Sequence, residues 1–406
     1  MNTVAGALIV GGNLNGLTIA RSLGRHGVPV WVVSPPNIRL ASFSRYTRRT
    51  LPWPSGDDEA QVEYLLEIAA RNNLDQWMLY PTSDESAALL SRFHSRLSRR
   101  FRVAAPTWNV LRWAYDKRLT NRLAADQHVD YPQTFYPLTE ADLKSVSCAF
   151  PAILKPAIHA SINQLTEDKA WRAASHEELV TKFREACELM PADQILVQEM
   201  IPGGGEAQFS YAALCCDGKP IASLTARRTR QYPIDFGYSS SFVETFDVPE
   251  IVAPSERLLS AINYTGIVEV EYKFDARNGR YKLLDINPRL WTWSPLGARA
   301  GMDFPYLLWQ MMQGKPVARQ TAPAGVRWVR MSTDVPAAFH EILRGRLNLG
   351  SYFRSLRGPL QFALVAADDP LPGLMDLPIF AFKHIYNTYA SLRKTAAVAR
   401  RSPAKS

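Results

Sequence analysis

Two acidic segments carry the strongest chemical signal in the chain. Glu269-Val-Glu271-Tyr-Lys-Phe-Asp and Leu-Leu-Asp285-Ile-Asn287-Pro-Arg289 flank the dipeptide Asn278-Gly279, which supplies positive φ values at little cost and predicts a hairpin. Side chains alternate along a strand, so Glu269, Glu271 and Lys273 share one face, as do Asp285, Asn287 and Arg289. Antiparallel pairing then brings Glu271 near Asp285 and Asn287. Two carboxylates and an amide oxygen are hard ligands, suited to Mg²⁺ held jointly with nucleotide phosphates. The competing reading is a solvated face of cross-strand Lys and Arg pairs, but pairing rewards opposite charges rather than clustered acids. Arg289 is placed to stabilise charge on a transferring phosphoryl group. A salt bridge from Arg289 to Glu271 or Asp285 is its alternative, and the two roles are compatible.

A second signal is Phe150-Pro-Ala-Ile-Leu-Lys155-Pro156. A lysine ending an apolar strand is costly to bury unless an anion meets it, and its ammonium suits phosphate oxygens; an edge lysine reaching water is the plainer account. A third is Ile195-Leu-Val-Gln198-Glu199-Met200-Ile201-Pro202-Gly203-Gly204-Gly205-Glu206. Here an apolar strand runs into an extended linker that can offer backbone donors and acceptors to a purine edge, although a strand before a glycine-rich turn is common. The basic run Arg227, Arg228 and Arg230 can grip a substrate carboxylate or a transferring phosphate through bidentate guanidinium contacts, or be a solvated strand end. Gly11-Gly12-Asn13-Leu14-Asn15-Gly16 departs from the G-x-G-x-x-G spacing, and Ser34-Pro35-Pro36 follows the second strand where a ribose-binding acid would be expected, so NAD binding is not indicated. The seven histidines show no metal-ligand spacing and no Ser/His/Asp arrangement stands out.

Taken in order, these elements resemble the ATP-grasp superfamily. The matches run from Lys117 in Tyr115-Asp116-Lys117, through Lys155 and Gln198-Glu199-Met200-Ile201-Pro202-Gly203, to Glu271, Asp285, Asn287 and Arg289. Within it the chain looks closest to the carboxylate–amine ligase branch that includes D-aspartate ligase-like proteins, on the stretch from Ala226 to Gly237 and the phrase Leu-Leu-Asp-Ile-Asn-Pro-Arg. The resemblance covers about residues 1–315. It implies that Lys117 and Lys155 bind ATP phosphates and that Gln198 faces the adenine. Glu199 and Ile201 would contact the adenine through backbone atoms, and Glu206 would hold the ribose hydroxyls. It also implies that Glu271, Asp285 and Asn287 ligate Mg²⁺ (Mn²⁺ being a possible replacement), with Arg289 at the acyl phosphate; from the basic run, Arg230 is taken as a second catalytic candidate. The N-terminal domain of such proteins commonly helps bind the carboxylate acceptor, a role open to Gly11–Asn15 with Thr82, Ser83 and Asp84; a structural turn fits as well. Two departures stand out. Asp285 replaces a glutamate found in many members, and Ala157-Ile-His-Ala-Ser-Ile162 lacks the glycine-rich flap, leaving phosphate cover to other donors such as Ser161 or Lys169.

These residues need a scaffold. Ala7 to Val10, the glycine turn, a helix to about Arg25 and Val28 to Val33 read as a β-turn-α-β unit opening a parallel sheet. Gln76 to Tyr80 and Arg102 to Ala104 are further strands, and Asp57 to Asn72 and Asp84 to Arg96 are amphipathic helices. Residues 1–105 therefore form a doubly wound domain. The resemblance implies that residues 106–315 form a two-lobed ATP-grasp domain, with a small lobe at about 116–197 and a large lobe at about 198–315. Its elements are a helix around Val110 to Gln127, a strand at Ala152 to Lys155 and a helix from Glu177 to Leu189. Antiparallel strands follow at Gln194 to Ile201, Ala207 to Cys216, Ile221 to Arg228, Val268 to Asp275 and Tyr281 to Ile286. Residues 316–406 are an extension with a basic stretch around Arg344 to Arg357 and a helical tail from Phe380 ending in Arg393, Lys394, Arg400, Arg401 and Lys405. The fold class is thus α/β joined to α+β.

Bulk properties agree. At 406 residues, 47% hydrophobic and 21% charged, the chain is a folded protein of two or three domains. A net charge of +9 suits nucleic acid, an anionic membrane or an anionic substrate alike. Four cysteines without paired spacing point to buried thiols, notably in the Cys215-Cys216 pair, and to a reducing cytoplasm. The start MNTVAGALIVGG lacks the basic segment and small-residue cleavage site of a signal peptide, and no apolar run reaches about 18 residues, so neither a leader nor a membrane span is expected. The activity implied is ATP-dependent joining of a small-molecule carboxylate and an amine through an acyl phosphate. A bicarbonate-using carboxylase and a non-catalytic ATP-binding regulator are the alternatives. No nucleic-acid partner is expected and a homodimer is compatible. The basic tail can lie on an anionic membrane, but a solvent-exposed or packed tail is the preferred reading.

Overall fold

Short apolar strands alternating with helices build a parallel sheet from the first 105 residues. In the computed structural model, which describes residues 5–158, 163–232 and 239–376, the strands β1 (Ala7–Val10), β2 (Val30–Ser34), β3 (Thr47–Pro52), β4 (Met78–Pro81) and β5 (Arg102–Val103) lie in the order β3-β2-β1-β4-β5. All neighbours are parallel. Helix α1 (Leu14–Arg25), α2 (Asp58–Asn72) and α3 (Asp84–Arg92) connect them. β1 and β4 are buried at every position, as parallel strands covered on both faces must be. β3 escaped the sequence reading because an edge strand need not be apolar: its Arg48, Arg49 and Thr50 are exposed.

The helix expected over Val110 to Gln127 is two helices, α4 (Trp108–Tyr115) and α5 (Lys117–Asp126). They break at Asp116, which is extended and whose carboxylate caps the Arg118 amide at 2.9 Å, an ordinary N-cap. The break starts α5 at Lys117, whose amide donates to the Ala157 carbonyl at 3.0 Å. That bond ties the helix start to the end of the lysine-bearing strand.

A small antiparallel sheet follows, in the order β6 (Thr134–Phe135), β9 (Ile195–Glu199), β7 (Ala152–Pro156), β8 (Trp171–Ala173). Its apolar face is covered by α6 (His176–Leu189) through Leu179, Phe183 and Ala186.

The large sheet runs β14-β13-β10-β11-β12-β16-β17, with β15 beside β11. Its strands are β10 (Gln208–Cys216), β11 (Lys219–Tyr232), β12 (Ser239–Thr245), β13 (Gly266–Asp275), β14 (Arg280–Asn287), β15 (Gln320–Thr321), β16 (Arg327–Val329) and β17 (Leu360–Phe362). One face packs on α7 (Pro249–Ala261) through Ile251, Leu258 and Leu259. The other joins the N-terminal core through Trp291, Trp293 and Trp328. The hairpin at Asn278-Gly279 forms, but as a four-residue loop, 276–279. Gly279 has φ +70° and its amide donates to the Asp275 carbonyl at 2.9 Å, while Asn278 keeps a negative φ. Cys215 is buried but Cys216, at the strand end, is partly exposed, and all four cysteines are free.

Residues beyond 315 do more than extend the chain. β16 and β17 lengthen the large sheet, and α8 (Met331–Leu343) and α9 (Leu349–Ser355) pack beside it. Two buried ion pairs anchor them. Arg230 meets Asp334 in a bidentate pair at 2.8 and 2.9 Å, and Arg21 meets Asp369 at 2.9 Å. Residues 159–162 of the flap segment, 233–237 of the arginine-rich motif and the tail from Phe380 lie outside the described residues.

Replacing Asp334 by Asn leaves the Arg230 guanidinium buried without its counter-charge, a loss of about 3–5 kcal/mol for such a pair. The first urea unfolding transition of Asp334→Asn, followed by tryptophan fluorescence, is therefore expected to be destabilised by that order.

Candidate functional site

The acidic pair is set by strand register. β13 and β14 pair Glu269 with Asn287 and Glu271 with Asp285. The register then shifts by one residue between Glu271 and Tyr272, so that Lys273 faces Lys282. A bulge of this kind re-aims side chains beyond it, and it puts Lys282 on the face of Glu271, where plain alternation from Asp285 would have placed Leu283.

Asn287 organises the cluster. Its amide nitrogen donates to Glu271 Oε1 at 2.9 Å and Glu269 Oε2 at 3.1 Å, which leaves Oδ1 as the atom to offer a cation. Glu269 is buried and also accepts from Ser210 Oγ at 2.9 Å and Trp293 Nε1 at 3.0 Å. Burial, and after it the Glu271 carboxylate, push Glu269 up to about 8. Glu269 thus positions the Asn287 amide. The sequence placed it on the right face but gave it no role, since its three donors come from β10, β14 and the loop after β14.

Cations surround the acids. Lys117 pairs with Asp285, and Arg228 reaches Glu271 at 3.7 Å. The ammonium of Lys155, at the end of β7, has no ion pair or hydrogen bond among the described residues. Enclosure by protein, and after it the Lys117 ammonium, lower its pKa to about 7, against the pull of Asp285 and Glu271. The surrounding protein also lowers the pKa of Lys169, which feels Glu271, Arg228, Arg289 and Asp285 as well. Arg289 forms a bidentate pair with Asp84 at 2.7 and 3.0 Å. Since Asp84 opens α3, this pair couples the parallel-sheet region to the cluster. Asn15 strengthens the link, donating to the Thr82 carbonyl at 3.1 Å and the Leu290 carbonyl at 2.8 Å. Thr82 and Asp84 therefore hold the loop after β14 in place, and Gly11, at φ +115°, lies where a Cβ would strike Thr82 Oγ1.

The linker after β9 lies alongside. Gln198 is buried, with its amide donating to Thr134 Oγ1 at 2.8 Å. The Glu199 carboxylate accepts from Lys282 at 2.5 Å, Arg277 at 2.9 Å and the Gln133 amide at 2.9 Å. Burial raises its pKa, and these partners more than reverse that. Glu199 hence bridges the small sheet to the β13–β14 hairpin and leaves only backbone for a ligand. Ile201 is buried. Glu206 accepts from the Gly204 amide at 2.8 Å, and Lys273 donates to the Gly203 carbonyl at 2.7 Å.

Glu271, Asp285, Asn287, Lys117, Lys155 and Arg289 are thus brought around one cluster. Arg230 is not. Its guanidinium is buried against Asp334, with Ser355 Oγ at 3.2 Å and the Phe242 ring at 4.1 Å. The β11–β12 register shifts between Arg228 and Arg230, and Arg228 is the member of the run that faces the acids. Among the described residues no three His, Cys, Asp or Glu side chains gather as a closed metal cage. Two carboxylates and an amide oxygen fit the open set that Mg²⁺ accepts when phosphates and water complete its shell.

No protein-family model matches the chain. It is 21% identical over 303 residues to a D-aspartate ligase from Enterococcus faecium, covering 70% of each chain. Among solved structures, the L-amino acid ligase from Bacillus licheniformis superposes with a TM-score of 0.59 at 15% identity, over 76% of this chain and 74% of that one. The biotin carboxylase–βγ-ATP complex from Campylobacter jejuni gives 0.64 at 13% identity, over 80% and 74%.

Lys155 supplies a pH signature. With its pKa at about 7 in the free protein, it is largely neutral above pH 8. A bound polyphosphate favours the charged form and raises that pKa, so binding takes up a proton. Titration calorimetry of MgATP in buffers of different ionisation enthalpy is expected to show uptake between about pH 7 and 9 that fades below pH 6 and disappears in Lys155→Met.

Proposed function

We propose that this chain, which has the fold of the ATP-grasp superfamily and resembles its D-aspartate ligase-like branch, is an ATP-dependent carboxylate–amine ligase. The chain is an enzyme on this reading, and the observation that carries it is the pairing of Glu271 with Asp285, beside Asn287, with Lys117, Lys155 and Arg289 around them. We assign residues 1–105 to the acceptor-binding domain, 106–315 to the two-lobed nucleotide domain and 316–406 to the extension.

In the proposed reaction the substrate carboxylate attacks the γ-phosphorus of ATP, the bond to the β,γ-bridging oxygen breaks and ADP leaves. The amine then attacks the acyl carbon, phosphate departs and a proton is released, leaving an amide. Lys117 and Lys155 hold phosphate oxygens. Glu199, Ile201 and Gln198 border the purine and Glu206 the ribose. Arg289, fixed by Asp84, and Arg228, beside Glu271, present guanidinium groups to the transferring phosphoryl. Arg230 is withdrawn from catalysis in this scheme. Mg²⁺, when held by Glu271, Asp285 and Asn287, supplies charge neutralisation at the phosphates. Catalysis rests on positioning and fixed charge. Substrates are small molecules, and a cytoplasmic location is part of the proposal.

The likeness to a biotin carboxylase motivates one rival, in which bicarbonate is the carboxylate. Screening ADP release against carboxylates with and without amines, with labelled bicarbonate as a parallel arm, separates the two. The ligase reading expects release that depends on a carboxylate plus an amine; ATP consumption indifferent to every such pair overturns it. Glu271→Ala is expected to lower turnover by roughly a thousandfold, the order seen when a transition-state electrostatic partner is removed.

A further inference from the structure

The extension presents a surface that the reaction does not use. Among the described residues, nine of the fifteen exposed large hydrophobic side chains fall between Val335 and Leu374. On α8 they recur at Val335, Phe339 and Leu343, one helical face, with Phe339 63% and Leu343 71% exposed. On α9 they are Leu349 and Phe353, again four residues apart and about 60% exposed. The inward sides of both helices are committed elsewhere: Asp334, Ala337 and Ala338 are buried, and Tyr352 lies 5.2 Å from the Arg230 guanidinium.

The unpaired charges on this face are arginines. Residues 342–367 contain four arginines and no Asp or Glu. The acids that border it are engaged: Asp334 with Arg230, Asp368 with Arg25, Asp369 with Arg21, Asp376 with Arg330. Glu341 lies 3.9 Å from Arg346. Arg344, Arg354 and Arg357 are exposed and have no side-chain ion pair among the described residues.

We propose that the α8–α9 face docks this protein on an anionic lipid surface, with Phe339, Leu343, Leu349 and Phe353 entering the headgroup boundary and Arg344, Arg354 and Arg357 meeting the lipid phosphates. Exposed Phe and Leu on a helix beside unpaired arginines is the pattern of interfacial binding. A second copy of the chain fits poorly, because an isologous contact would set the arginines of one copy against those of the other. Nucleic acid fits less well, since Leu343 and Leu349, set between Phe339 and Phe353, offer a base neither stacking nor hydrogen bonds.

Flotation of the full chain with vesicles tests this. Binding is expected to vesicles containing about one-third phosphatidylglycerol, little to pure phosphatidylcholine, and release at high salt. Each arginine near such a surface contributes about fivefold in partition. The triple Arg344→Gln, Arg354→Gln, Arg357→Gln variant and, independently, the double Phe339→Glu, Phe353→Glu variant should each weaken partition at least about tenfold, with unfolding midpoints unchanged. Absence of binding to anionic vesicles at low salt overturns the proposal, as does equal binding to neutral ones. Undiminished binding by both variants overturns it too, placing the contact outside α8 and α9. So does light scattering that shows a dimer dissociated by the Phe variant without vesicle binding.

Discussion

Carboxylates set side by side on neighbouring strands must be compensated, and the architecture around β13 and β14 follows from that requirement. Glu271 and Asp285 are direct cross-strand partners, an arrangement that costs stability unless cations stand close. The chain brings cations from separate elements: Lys117 from the start of α5, Lys155 from the end of β7, Arg228 from β11. Each sits where a local feature puts it. Asp116 breaks a long helix so that Lys117 faces inward, and Lys155 ends a strand whose neighbours are apolar. The result is a cluster whose charges interlock yet leave the Lys155 ammonium without a bonded partner among the described residues, a condition suited to an arriving anion.

The same economy explains the scaffold's joints. Glu199 meets Lys282 and Arg277, fastening the small sheet to the large one at the linker. Asp84 meets Arg289, fastening the parallel sheet to the cluster. Arg230 meets Asp334 and Arg21 meets Asp369, fastening the extension to both. Such partly or wholly buried pairs add modest net stability, but losing one partner is expensive, so they hold the sheets in one relative placement. In the proposed reaction that placement matters because a phosphoryl group would have to meet cations from three elements at once.

The extension turns these principles outward. Its acids stand against arginines, while Arg344, Arg354, Arg357 and a row of Phe and Leu side chains remain at the surface. A protein rarely leaves large apolar side chains so concentrated without use, and the charge imbalance around them favours an anionic partner.

Much of this was legible in the residues. Strand alternation in Glu269-Val-Glu271 and Asp285-Ile-Asn287 defined the acidic face, and the apolar strand ending in Lys155 marked a phosphate-binding candidate, because both depend on local periodicity alone. The hairpin was predictable from Asn278-Gly279, though its four-residue loop was not. What required tertiary structure was decided by register and distance. Bulges exchanged Leu283 for Lys282 beside Lys273 and brought Arg228 rather than Arg230 to the acids. Glu269 acquired its role from donors on three segments. β3, β16 and β17 were invisible because edge and late-added strands draw their stability from hydrogen bonds to a neighbour, not from a pattern of their own. Periodicity along a chain tells which face a side chain takes; only the packed fold tells what meets it there.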